Sequence, residues 1–288
     1  MVRKLLLILY ALCSAAIAAA QWTFPPLGAR NTALGGASAA LCNMEAAADN
    51  VVAMAYGNRV GAGLSIRQNY MLNTMCYKSC FVAAPLTRMG AAAIHYTHFG
   101  TSAYNEQQAS LGYAMLIGDR QQGHGVALGL RFDYLYSGTS DAHYLPQQAI
   151  TFAAGMQLRP TDEWCLGVQV FNPAVVHIQG TGAEQSTMAN SHIDYSRLLF
   201  RLGASYRMTS TLMGTIELEK DLLHRPLLRA GMEYGWRQML FVRTGMSTRP
   251  GCFSFGLGYA HRNYHIDMAA QMHPVLGLTP QLSLSYLF

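Results

Sequence analysis

From Arg59 to Phe288 the chain alternates, almost without a break, between bulky apolar residues and small or polar ones. A spacing of two puts the two sets on opposite faces of β-strands. The last stretch shows it most plainly. Leu282, Leu284, Tyr286 and Phe288 share one face, and Ser283, Ser285 and Leu287 the other. On an open sheet so apolar a terminal strand would leave a sticky free edge. Closure into a barrel removes the edge, because the last strand then pairs on both sides.

Fourteen candidate strands follow one another at roughly 59–68, 75–84, 90–99, 106–117, 123–136, 147–159, 163–173, 195–207, 211–220, 226–236, 239–247, 252–260, 263–271 and 280–288. Most approach the ~9–11 residues that a tilted strand needs to cross a bilayer. In the fifth, Val126, Leu128, Leu130, Phe132, Tyr134 and Tyr136 oppose Ala127, Gly129, Arg131 and Asp133. The sixth and twelfth repeat the pattern, with Thr151, Gly155 and Gln157, then Ser254, Gly256 and Gly258, on the small face.

A soluble sandwich also alternates, but its connections need not sort by length. Here every second connection is tight: Pro85–Met89, Gly118–Gln122, Pro160–Asp162, Met208–Ser210, Arg237–Gln238 and His261–Arg262. The others are mostly longer, above all Ala174–Asp194 and Ser137–Pro146. Short periplasmic turns and longer outer loops are the plan of outer-membrane barrels. The expected fold is therefore all-β: a 14-stranded antiparallel transmembrane β-barrel with a small N-terminal plug segment.

Composition agrees. Charged residues are 12% of the chain, about half the usual share in soluble domains, while Gly numbers 27 and Tyr 16. Arg3 and Lys4, the apolar run Leu5–Ile17 and the small residues Ala18–Ala20 read as a secretory signal cleaved before Gln21. Residues 1–20 are thus the signal peptide, 21–58 the plug and 59–288 the barrel, in the bacterial outer membrane and in contact with its lipid. Without Arg3 and Lys4 the basic residues number 18 against 15 acidic, a net +3 that gives no case for nucleic acid. Cys42, Cys76, Cys80, Cys165 and Cys252 remain, and an odd count argues against a full disulfide framework. Cys76 and Cys80 on one strand are too far apart to pair.

Residues 21–58 are Ala-rich and lack the alternation, with a short helix expected over Asn43–Val52. Arg30, Glu45 and Asp49 are its candidate functional polar groups. In the strands the charges fall on the small face: Arg131 and Asp133, Arg201 and Arg207, Glu217 and Glu219, Arg229 and Glu233, Arg243, then His265 and Asp267. Lipid would cost Arg or Lys about 2–4 kcal/mol near the midplane, so these residues face the lumen. Their signs alternate from strand to strand. That favours a salt-bridge ladder over a solute-selecting lining, and fourteen strands with a plug suggest a narrow or closed lumen. His95 and His98 share a strand but take opposite faces, and His143, His177 and His192 fall in or near outer loops. Ser191, His192 and Asp194 are too close in sequence to converge as a triad. No nucleotide, metal-protease or hydrolase motif occurs, so no enzymatic role and no cofactor or metal is expected.

Three stretches carry a resemblance. Leu27–Ala37 (LGARNTALGGA) resembles the start of the PorV/PorQ group of outer-membrane proteins, which are similar in fold to the fatty-acid transporter FadL. Val170–Pro173 (VFNP) is similar to that group's mid-barrel segment, and His273–Phe288 to its C-terminal hairpin. The group's NPAGL-like segment is shortened here to Ala53–Val60. The resemblance implies a plugged 14-stranded barrel with an accessory role in protein export or surface attachment, including type IX secretion. Its partners would be secretion-system components or exported proteins, met through Ala174–Asp194. The FadL-like fold equally allows passive transport of small hydrophobic solutes. Tyr286 and Phe288 resemble the terminal signal read by the barrel-assembly machinery.

Overall fold

The computed structural model describes residues 27–42, 49–86, 90–119, 123–141, 146–178, 198–222 and 224–288. The expected signal segment, Glu45, His143, Ser191, His192 and Asp194 lie outside the described residues, as does most of Ala174–Asp194.

Fourteen strands close into one antiparallel barrel. They are β1 (Gly61–Gln68), β2 (Cys76–Pro85), β3 (Ala91–Gly100), β4 (Tyr104–Asp119), β5 (His124–Thr139), β6 (Gln147–Arg159) and β7 (Trp164–Ile178). The second half is β8 (Leu199–Arg207), β9 (Leu212–Asp221), β10 (Leu227–Trp236), β11 (Leu240–Ser247), β12 (Cys252–His261), β13 (Tyr264–His273) and β14 (Gly277–Leu287). β14 closes the ring, with Leu284 opposite both Ile266 of β13 and Leu64 of β1. The Phe288 amide donates to the Val60 carbonyl at 2.8 Å, and Arg59 Nε donates to the Phe288 carbonyl at 3.0 Å. The chain's last strand therefore has no free edge.

The alternation becomes an inside-out protein. Phe132 is 53% exposed and its neighbour Asp133 2%. Outward rows of Leu, Ile, Met, Phe and Tyr cover the wall, while polar and charged side chains make up about half of the buried set. Water would penalise that surface; a bilayer does not, and a closed barrel satisfies its backbone groups internally.

Two strand bounds are corrected. β7 does not stop at Phe171–Pro173 but continues to Ile178 through an irregularity, where pairing jumps from Thr151↔Val175 to Ala153↔Phe171. Pro173 has no amide to give the ladder, and Asn172 takes a left-handed φ of 52°, which Asn tolerates. The last strand begins at Gly277 rather than Pro280. Most of the helix expected over Asn43–Val52 lies outside the described residues; the described plug holds a short α-helix, α1, at Ala29–Ala33 and a 3-10 helix at Val51–Tyr56. Cys42 and Cys165 form a disulfide, and Cys76, Cys80 and Cys252 are free.

Candidate functional site

The plug segment sits in the lumen, and its seam with the wall is the candidate site. Ala29, Ala33, Leu34, Ala37, Ala39, Val52, Ala53 and Met54 have no exposed surface. Gly35 and Gly36, at φ 73° and 85°, end α1. The Gly36 amide returns to the Asn31 carbonyl at 2.8 Å, a left-handed cap that glycine allows. Asn50 caps the 3-10 helix, its side-chain oxygen accepting from the Val52 amide at 3.1 Å. Two residues staple the later part of the plug to the earlier. Asp49 accepts from the Leu27 amide at 2.8 Å and from the Asn31 side chain. Asn50 Nδ2 donates to the Ala39 carbonyl at 3.0 Å.

The wall makes room for this segment by omitting side chains. A Cβ at Gly231 would lie 2.7 Å from the Leu34 carbonyl oxygen, and one at Gly155 2.6 Å from Val52 Cγ2. At Gly167 and Gly245 it would collide with the Ala39 carbonyl and the Gly35 amide. These glycines alternate with the outward bulky residues, so the small face of the pattern is the socket of the plug.

The lumenal charges make a buried network. Arg201 Nε donates to Glu219 at 2.7 Å, and Arg229 bridges Glu217 at 2.8 Å and Glu219 at 2.9 Å. Arg243 donates to Glu233 at 2.6 Å and to Asp267. Arg131 pairs with Asp133 at 2.8 Å along one strand. Phe171 presents its ring to Arg201, 4.9 Å from the guanidinium carbon, and to Arg131 at 5.7 Å.

The plug takes part in that network. Arg30 grips Glu233 with two bonds, of 2.7 and 2.8 Å. Glu217, 1% exposed, accepts the amides of Ser38 at 2.8 Å and Ala39 at 2.7 Å. A carboxylate so buried is tolerable only when ionic and hydrogen-bond partners surround it. Arg131, Asp133, Arg201, Glu217, Arg229, Glu233, Arg243 and Asp267 thus all line the lumen, while Arg207 stands exposed at the short-turn rim. His95 is buried inside, its Nε2 2.9 Å from Thr97 Oγ1.

Sequence reasoning missed Gln157, Gln281 and the disulfide. Gln157 Nε2 donates to the carbonyls of Ala39 at 2.8 Å and Leu41 at 3.0 Å. Gln281 donates to Leu27 at 3.0 Å and accepts from Thr32 at 2.6 Å. An amide on an otherwise small inward face was the available signal. Near the short turns, a hollow of about 390 Å³ lies beside Arg30, Arg207, Thr211, Glu233 and His265.

Fold and seam together define a plugged, closed 14-stranded transmembrane barrel. No protein-family model and no curated protein matches the sequence. The toluene transporter TodX of Pseudomonas putida is similar in structure, with a TM-score of 0.63 at 11% identity over 92% of this chain and 98% of that one. A FadL homologue from Pseudomonas aeruginosa is similar at a TM-score of 0.62 and 13% identity, over 93% and 99%. The shared feature is the fold, a closed 14-stranded barrel.

Proposed function

We propose that this chain is a non-enzymatic, plugged channel of the bacterial outer membrane that admits a small hydrophobic solute. The observation that carries this reading is the filled lumen. The chain's own segment occupies the barrel, seated on glycines and held by Glu217, Gln157 and Glu233. A hydrated pore would serve polar solutes, whereas an apolar solute gains by leaving water and needs no such pore. The similarity in fold to a toluene transporter supports the same class of cargo. The test is accumulation of labelled toluene by cells that make or lack the protein, with a sugar of similar size as control. Faster toluene entry with unchanged sugar entry is expected; equal toluene entry in both strains refutes the reading.

A second reading follows from the three sequence stretches similar to the PorV/PorQ group: an accessory role in protein export and surface attachment. The hollows beside the plug at the short-turn end bear on it, because Arg30, Arg159, Arg207 and Glu233 set charge among their apolar walls. Val175 packs on Leu135 and Ala149 within the barrel, so the informative deletion spans residues 179–190 and spares β7. Loss of toluene uptake with normal surface display supports the channel. Loss of display with normal uptake supports the accessory role.

Tyr286 and Phe288 serve in this reading as the signal for barrel assembly. Phe288 is 66% exposed and its ring meets that of Tyr286 at 4.7 Å. Deleting Phe288 is expected to lower the amount of heat-modifiable barrel, and an unchanged amount would reduce the residue to a structural role.

A further inference from the structure

We propose that Lys78 binds the phosphate of an outer-leaflet lipid on the outside of the barrel. The proposal rests on the outer-membrane reading above.

Among the described side chains, the outward strand positions carry two residues of fixed charge, Lys78 and Lys220. Both are cations. Both lie within two residues of the long-loop end of their strand, on β2 and β9. No carboxylate occupies an outward strand position among the described side chains. The lumen is the reverse, with acids and arginines paired at close range.

The two lysines differ in one respect. Lys220 Nζ donates to the His224 carbonyl. Lys78 is exposed and has no hydrogen-bond or ion partner among the described residues. Directly opposite it stand Ile66 on β1 and His98 on β3, and His98 faces Gln107 on β4. Toward the middle of the wall the outward residues become apolar, with Val82 and Ile94 52% and 64% exposed. An ammonium at such a boundary keeps its stem on the apolar wall and extends its head toward the headgroups. There the available counter-charge is a lipid phosphate, because no acid stands at an outward strand position among the described side chains. His98 stands beside Lys78 as a further donor to the same group.

The test uses the full mature chain, assembled in detergent, as wild type, Lys78→Gln and Lys78→Arg. Each is mixed with bisphosphorylated lipid A, or with its dephosphorylated form carrying the same acyl chains, and retained lipid is counted by native mass spectrometry. Wild type and Lys78→Arg should retain the phosphorylated lipid about fivefold better than the dephosphorylated one, the factor expected for one basic residue at an anionic surface. Lys78→Gln should lose that preference, and inorganic phosphate should not displace the lipid. A preference that survives in Lys78→Gln, or displacement by inorganic phosphate, overturns the proposal. Heat-modifiable migration of each variant, read on the same samples, tests the barrel separately. Toluene uptake by Lys78→Gln is expected to equal wild type, so a failed channel reading and a failed lipid site give different results.

Discussion

The two described halves of the plug are held by different physics. Residues 27–42 are fixed by directional bonds. Glu217 takes the amides of Ser38 and Ala39, Gln157 the carbonyls of Ala39 and Leu41, Ser205 donates to the Ala40 carbonyl at 2.8 Å, and Arg30 grips Glu233. Residues 49–58 are fixed mainly by apolar packing, with Val51, Val52, Met54 and Ala55 against Ala83, Ala91, Ala114 and Ala127 and the flank of Phe81. The first half also crosses the wall at backbone distance, over Gly231 and Gly245, whereas the second meets Gly112 and Gly155 through valine methyl groups. Directional bonds specify one placement of a chain. Apolar contact excludes water from the gap and tolerates small shifts better. The earlier half is a latch, and the later half is a stopper.

The comparison can be broken by substitutions that should act on one half alone. Glu217→Ala leaves two plug amides without their acceptor and strips Arg229 of one of its two carboxylates, and is expected to cost about 3–5 kcal/mol. Hydrogen exchange should rise at the amides of 36–41 and stay slow at 51–56. Met54→Ala opens a cavity in the stopper and should cost about 2–4 kcal/mol. It should reverse that exchange pattern. Equal loosening of both halves by either variant would erase the distinction. The smallest effect is expected from Arg30→Lys, which replaces a two-bond grip by one and should cost about 1 kcal/mol. A small fall in the urea midpoint of the assembled barrel would report it; no fall would assign the Glu233 charge to Arg243 alone.

Much of the architecture was legible because a barrel wall is written in period two. Fourteen strands and the inward face of every ladder charge follow from alternation, since a charge on the lipid side is costly. The sign alternation from Arg201 to Glu217 to Arg229 was likewise enough to expect a ladder. The seam was not legible. Glu217 meets the amides of Ser38 and Ala39 across about 180 residues of chain, through backbone groups that every residue carries. The Cys42–Cys165 link was hidden by an odd cysteine count. In the VFNP stretch Pro173 carries the signature of a strand end, whereas the strand absorbs it by a local irregularity and continues to Ile178. Helix α1 escaped because five residues are too few to show a period of 3.6.

Ion conductance across a planar bilayer tests most directly whether the seam seals the barrel. The assembled wild-type protein should show no steady conductance above the bare membrane, and a variant lacking residues 27–58 should show long-lived open events. Steady conductance of the wild type, equal to that of the deletion, would contradict a lumen closed by its own plug.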